Sequence, residues 1–181
     1  MASGVLISFC NLSGNSAALN EVCNYRFVCL LNNHCMITNA IDRLEYLCNT
    51  IPELLTSIDD KMFSEKVRQD KWSKKEILGH LIDSATNNHQ RFVRGQFEDK
   101  PKIVYDQNKW NQYSFYQQID LKQIIIFWTV YNRQLLQLVR HIPKENLQLE
   151  CLVGDKLLTL DFLINDYVKH LEHHLQQIVS Y

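Results

Sequence analysis

From Met36 onward, apolar residues return every three or four positions, and that spacing restricts the chain to helical folds. Ile41, Leu44, Leu47, Ile51 and Leu54-Leu55 trace one such stripe, as a helix of about 3.6 residues per turn requires. Only 5 Gly and 3 Pro occur among 181 residues. That is too few turn-formers for a many-stranded sandwich, and it suits long helices with few connections. Pro52 falls inside the first stripe and is expected to kink that helix or divide it in two. The charged stretch 58–71 reads as a connection with room for a short helical piece.

The second helix has a clear start. Ser73-Lys74-Lys75-Glu76 is a capping box, in which the Ser hydroxyl and the Glu carboxylate each satisfy an unpaired backbone N–H. Trp72 and Ile77 stand at the hydrophobic-staple positions around it. This helix is expected to end near Gly95 or Gln96. Residues 97–116 hold Pro101 and many polar and aromatic side chains, which predicts a long loop of a kind that is often functional. A third helix is expected over about 118–141, burying Leu121, Ile124, Ile125, Trp128, Tyr131, Leu135 and Leu138, with Pro143 beyond its end. A short connection around Cys151–Asp155 leads to a last helix from about Thr159 to near the C-terminus. Four long amphipathic helices with no strand predict an all-α fold, a four-helix bundle over residues 36–181.

Charge narrows the function classes. With 19 Lys+Arg against 20 Asp+Glu, no electrostatic footprint for nucleic acid or an anionic membrane is present. No apolar run reaches the roughly 18–20 residues of a membrane span. The patch Val5-Leu6-Ile7-Ser8-Phe9 lacks a preceding basic residue and does not read as a signal peptide, so a cytoplasmic location is expected. Cys10, Cys23, Cys29 and Cys35 crowd the first 35 residues, with Cys48 and Cys151 following. An oxidised secreted scaffold would spread its cysteines through the fold. A zinc cluster of these cysteines with His34 would be expected to show a Cys-x-x-Cys pair, and none occurs. Residues 1–35 therefore read as a poorly ordered extension, or as upstream sequence ahead of a natural start at Met36.

Seven histidines are present: His34, His80, His89, His141, His170, His173 and His174. On a helical wheel with Leu171 at zero, the apolar arc of the last helix spans roughly −80° to +60°. His174 falls near −60°, inside that arc; His170 near about −100°, at its edge; and His173 near about −160°, toward water. Histidines four residues apart stand one turn apart on the same face, so one helix can offer two imidazoles to one metal ion. On the second helix, His80 shares a stripe with Ser84, Asn87 and Arg91 that borders the core, where bundles place inward-facing polar sites. That makes His80 the natural third ligand, while His89 lies within the apolar arc as a satisfied core or edge residue. A lone inward histidine is more often a hydrogen-bonded core residue, and that reading stays open beside the metal one.

Three segments together resemble the DinB family of metal-binding four-helix bundles. They are Trp72-Ser73-x-Lys75-Glu76-Ile77-Leu78-Gly79-His80-Leu81-Ile82-Asp83-Ser84-Ala85, then Tyr105-Asp106-Gln107-Asn108-Lys109-Trp110, and then Asp166-Tyr167-Val168-x-His170-x-x-His173-His174-x-x-Gln177-Ile178. The resemblance covers about residues 36–180 and leaves the extension without a counterpart. It implies a divalent transition metal, zinc or nickel, held by His80, His170 and His174. It also implies a homodimer and a small-molecule substrate. Some members are transferases or isomerases using low-molecular-weight thiols, others are provisionally assigned as metal-dependent hydrolases, and a non-catalytic metal- or ligand-binding role in stress response is the alternative.

Three imidazoles leave a coordination position open, where a structural site would normally close it with a fourth protein ligand. The pattern is not a zincin motif, because Leu171 stands where that motif has Glu, and Glu172 projects roughly 160° away from the histidine pair. Asp83, Asp166, Tyr105 and Asp106 are the candidate supporting or acid–base groups; no catalytic residue is singled out. Asp166, one turn before His170, is positioned either to orient its ring or to face solvent. Arg91 is read as paired with a nearby carboxylate, or else as a contact for an anionic substrate. Trp110 is read as part of a cap over the site or as a plug at the bundle end.

Overall fold

The structure is a computed structural model and describes residues 37–181; the expectations for Cys10, Cys23, Cys29, Cys35 and His34, and for the extension they occupy, lie outside the described residues. Four long helices dominate: α1 over 37–56, α3 over Lys74–Arg94, α5 over Leu121–His141 and α6 over Leu160–Leu175, with the short α2 (Asp60–Ser64) and α4 (Gln107–Tyr113) in the connections. Helix α3 packs against both α5 and α6. On the other side, α1 is tied to α6 by the Arg43–Glu172 ion pair and to α5 by Arg140–Glu45. The expected all-α four-helix bundle is therefore the fold.

Its core is the one the periodicity marks. Leu44, Leu47, Ile51 and Leu55 of α1, Leu78 and Leu81 of α3, Trp128 and Leu135 of α5, and Leu160 and Leu175 of α6 are all essentially inaccessible. One polar pair crosses this core, where the Tyr167 hydroxyl donates to Asn132 Oδ1 at 2.6 Å, because a buried hydroxyl without a partner would be costly. Helix α1 runs through Pro52 without a break, so proline does not divide it. Among the described residues no helix is long and apolar enough to cross a membrane.

Two connections differ from expectation. The short connection expected around Cys151–Asp155 is a β-hairpin, with β1 (Glu150–Val153) antiparallel to β2 (Lys156–Thr159) and Val153 opposite Lys156. Gly154 supplies the tight loop at φ +61°, a conformation that only glycine adopts freely. The supposed loop 97–116 is partly ordered as well. Its residues 101–103 lie along the hairpin, with Leu152 N–H donating to the Pro101 carbonyl and Ile103 N–H to the Leu152 carbonyl. Asp106 then caps α4 by accepting from the backbone N–H groups of Asn108 and Lys109.

Candidate metal centre

The capping box forms as the sequence predicts: Ser73 Oγ accepts from Glu76 N–H, and the Glu76 carboxylate accepts from Ser73 N–H. Fixing the first turn of α3 fixes the phase of every residue after it. His80 lies two turns on, fully buried, with the Trp72 ring against its own at 5.0 Å between centroids. Helix α6 brings His170 and His174 to meet it. The three ring centroids are 4.6–5.1 Å apart, and one nitrogen from each ring lies within 4.8 Å of the others.

His80 Nε2 and His170 Nε2 approach to 3.2 Å. Two nitrogens bound tetrahedrally to one ion at about 2.0–2.1 Å would stand about 3.3 Å apart, so this spacing fits a shared ion. His174 Nδ1 is buried with no hydrogen-bond partner, and buried imidazole nitrogens ordinarily find one; His80 Nδ1, across the ring from Nε2, is also unpartnered and is not accounted for by that ion. Burial, reinforced by the neighbouring imidazoles, pushes His80 down to about 3 and His170 down to about 4; burial lowers His174 as well. All three are therefore neutral near pH 7, the form that donates a lone pair to a metal.

The surroundings sort the other sequence candidates. His173 is exposed and meets Gln177 at 3.1 Å, and His89 is satisfied by the Tyr131 hydroxyl at 3.0 Å, both as expected. Glu172 turns away to Arg43. Asp166 is exposed on α6, and the group that reaches His170 Nδ1 is instead Ser84 Oγ at 3.4 Å. Ser84 stands four residues after His80, a spacing legible in the sequence, because it puts both on one face of α3. Asp106 is spent on capping, and Trp110 lies at the surface edge-on to Tyr105, so it plugs nothing.

Two residues matter more than the sequence suggests. Asp83 is buried and takes a 2.5 Å hydrogen bond from the Tyr116 hydroxyl on Oδ1, while its Oδ2 is buried without a partner. Burial pushes its carboxyl up to about 6, against the pull of the Tyr116 bond. Arg91 has no carboxylate partner among the described residues; it donates to Asn88 Oδ1 and to the Ile103 carbonyl, which corrects the expected ion pair.

The model of the DinB superfamily matches residues 43–178, a span that includes all three histidines. The chain belongs to the DinB superfamily. Over 71 residues it is 27% identical to an Oceanobacillus iheyensis protein provisionally named a metal-dependent hydrolase, covering 39% of this chain and 41% of that one. A Bacillus cereus protein of the same designation is 29% identical over 76 residues, covering 41% and 44%. The chain thus matches about two fifths of the length of these relatives. Among solved structures, YfiT from Bacillus subtilis, described as a probable metal-dependent hydrolase with an unusual four-helix bundle topology, superposes with TM-score 0.71 at 21% identity, covering 78% of this chain and 83% of that one. A mycothiol-dependent maleylpyruvate isomerase superposes with TM-score 0.64 at 10% identity over 83% of this DinB-superfamily chain and 61% of the isomerase.

Proposed function

We propose that His80, His170 and His174 bind one divalent transition metal ion, zinc or nickel, and that the protein is a metal-dependent hydrolase acting on a small molecule. The observation that carries this reading is the convergence of three neutral imidazoles from two helices, His80 buried and His170 and His174 half-buried, with no fourth protein ligand in the group among the described residues. A bound ion of this kind supplies Lewis acidity, acidifying a water or a thiol in the position the protein leaves open. The names of the relatives, and the match of the superfamily model across the histidines, support it.

The chain's own residues have separate tasks in this reading. Ser84 contacts the far nitrogen of the His170 ring, which helps to hold the ring's orientation. Trp72 covers His80 and lines a neighbouring cleft of about 440 Å³ with Ile77, Asn108 and Gln177, large enough to receive a small molecule but lined by none of the three histidines. Asp83 stands one turn from His80 on α3 with its Oδ2 buried, and a carboxyl held at about 6 exchanges a proton readily near neutral pH. Asp83 is therefore the proton acceptor of choice.

A second reading, thiol-dependent transfer with a low-molecular-weight thiol at the open position, is supported by the shared fold of the mycothiol-dependent isomerase. A third role, metal binding without turnover, predicts loading and no reaction. The test is a turnover screen of the metal-loaded protein against esters, amides and thiol–electrophile pairs, beside a His170→Ala control. Hydrolysis that requires metal and is lost in the control supports the first reading. Activity confined to the thiol pairs supports the second, and a metal-loaded protein inert throughout contradicts both.

A further inference from the structure

Arg91 is a buried cation without an anion. Its residual exposure is 9%, and none of the ion pairs among the described residues includes it. Two of its nitrogens are used: Nη1 donates to Asn88 Oδ1 at 3.2 Å and Nη2 to the Ile103 carbonyl at 3.1 Å. Its Nε–H is buried and unpartnered. The charged and titratable groups that act on it are Asp166, which is exposed, and the uncharged Tyr105 and Cys151. Buried charges in proteins are ordinarily paired, since removing a guanidinium from water without a counter-charge is strongly unfavourable.

The position of this cation is informative. Asn88 Nδ2 lies 3.4 Å from Ser84 Oγ, which in turn touches His170 Nδ1, and Tyr105 stands near enough to interact with both Ser84 and Arg91. A continuous polar tract thus runs along α3 from the histidines to Arg91. The seven residue steps from Ser84 to Arg91 rise about 10 Å along the helix axis, and the Arg91 side chain reaches back one turn of that distance to Asn88. The structure spends two devices on holding the far end in place: the Ile103 carbonyl is delivered by the strap that lies on the hairpin, and Asn88 is fixed by its bond to the Ser84 carbonyl.

We propose that Arg91, flanked by Asn88 and Tyr105, anchors a carboxylate group of the substrate, whose reacting end lies at the histidines. A guanidinium pairs with a carboxylate through well-directed N–H donors. One cation among neutral neighbours balances a single negative charge, which favours a carboxylate over a doubly charged phosphate. The tract from the guanidinium through Asn88 and Ser84 to His170 selects an extended carboxylate, longer than acetate. The role assigned to the reacting end rests on the metal-centre reading; the anchor itself does not.

The test is a titration of zinc-loaded protein with hexanoate and, separately, with inorganic phosphate, following the Arg91 Nε–H resonance by NMR. Hexanoate is expected to shift that resonance saturably, and phosphate to bind at least about tenfold more weakly. Arg91→Gln should weaken hexanoate binding at least about tenfold while leaving zinc content unchanged. A resonance that does not move in the wild-type protein overturns the anchor, as does a folded Arg91→Gln variant that binds hexanoate like wild type. Phosphate binding as tight as hexanoate overturns the carboxylate assignment. Should Arg91→Gln fail to fold, the wild-type resonance decides alone. A protein that takes up no zinc yet shows the hexanoate shift contradicts the metal reading and leaves the anchor standing.

Discussion

His173 and His174 are adjacent in sequence and have opposite environments. A rotation of about 100° per residue puts His173 in solvent and turns His174 toward His80 and His170. The metal reading therefore discriminates between them. His174→Ala is expected to lower metal affinity by at least about tenfold, and His173→Ala to leave it within a factor of about two; competition with a chromophoric chelator measures both. Gly79 makes a different demand. A Cβ there would lie 2.2 Å from the Tyr116 ring, the same ring whose hydroxyl holds Asp83. Gly79→Ala should cost about 1–3 kcal/mol by overpacking, read by urea unfolding. Combining it with Tyr116→Ala should recover part of that loss, because the two residues share one contact.

The elements explain which parts of this site the sequence made legible. The capping box sets the phase of α3, so the stripe containing His80, Ser84 and Arg91 follows from local signals alone. Ser73→Ala is expected to cost about 0.5–2 kcal/mol, with Glu76→Ala adding less than its separate effect because the two bonds are reciprocal; denaturant midpoints of the two single variants and the double variant test this. The His170/His174 pair is likewise a one-helix property. Partners set by chain segments far apart are another matter. Ser84 rather than Asp166 supports His170, and the Ile103 carbonyl rather than a carboxylate meets Arg91, and both depend on how α3, α6 and the 101–103 strap pack together. The hairpin does carry a local signal, since Gly154-Asp155 is a two-residue hairpin loop between short apolar runs. Its strands are four residues each, too short to show a clear alternation against the helical periodicity on either side.

At the scale of the whole molecule, the clustered histidines tie stability to pH. His80 at about 3 and His170 at about 4 sit below their ordinary value of 6.5, so the unfolded chain binds more protons than the native one between those values. Stability from these groups is fully present above about pH 6.5 and is lost as pH falls toward 3–4. Asp83, raised from 3.8 to about 6, acts in the opposite sense between those values, since there the native state holds the extra proton. Two strongly lowered histidines, with His174 lowered beside them, outweigh one carboxyl. The metal-free protein should therefore gain thermal stability from pH 4 to pH 7, as melting curves across that range would show. Bound metal should add to the effect, because an ion that binds only the folded state stabilises it by mass action. Removing it with a chelator at pH 7 is expected to lower Tm by several degrees, about what a loss of 1–2 kcal/mol produces in a domain of this size.

The central claim is that three histidines from α3 and α6 hold one metal ion. Elemental analysis of protein purified without a histidine tag, before and after stripping and reloading with zinc or nickel, tests it most directly when run beside His170→Ala. The account predicts about one equivalent of divalent metal per chain, recovered on reloading, and a large loss in the variant. A wild-type protein that carries no metal and takes up none on reloading, or a His170→Ala variant that loads like wild type, would contradict it.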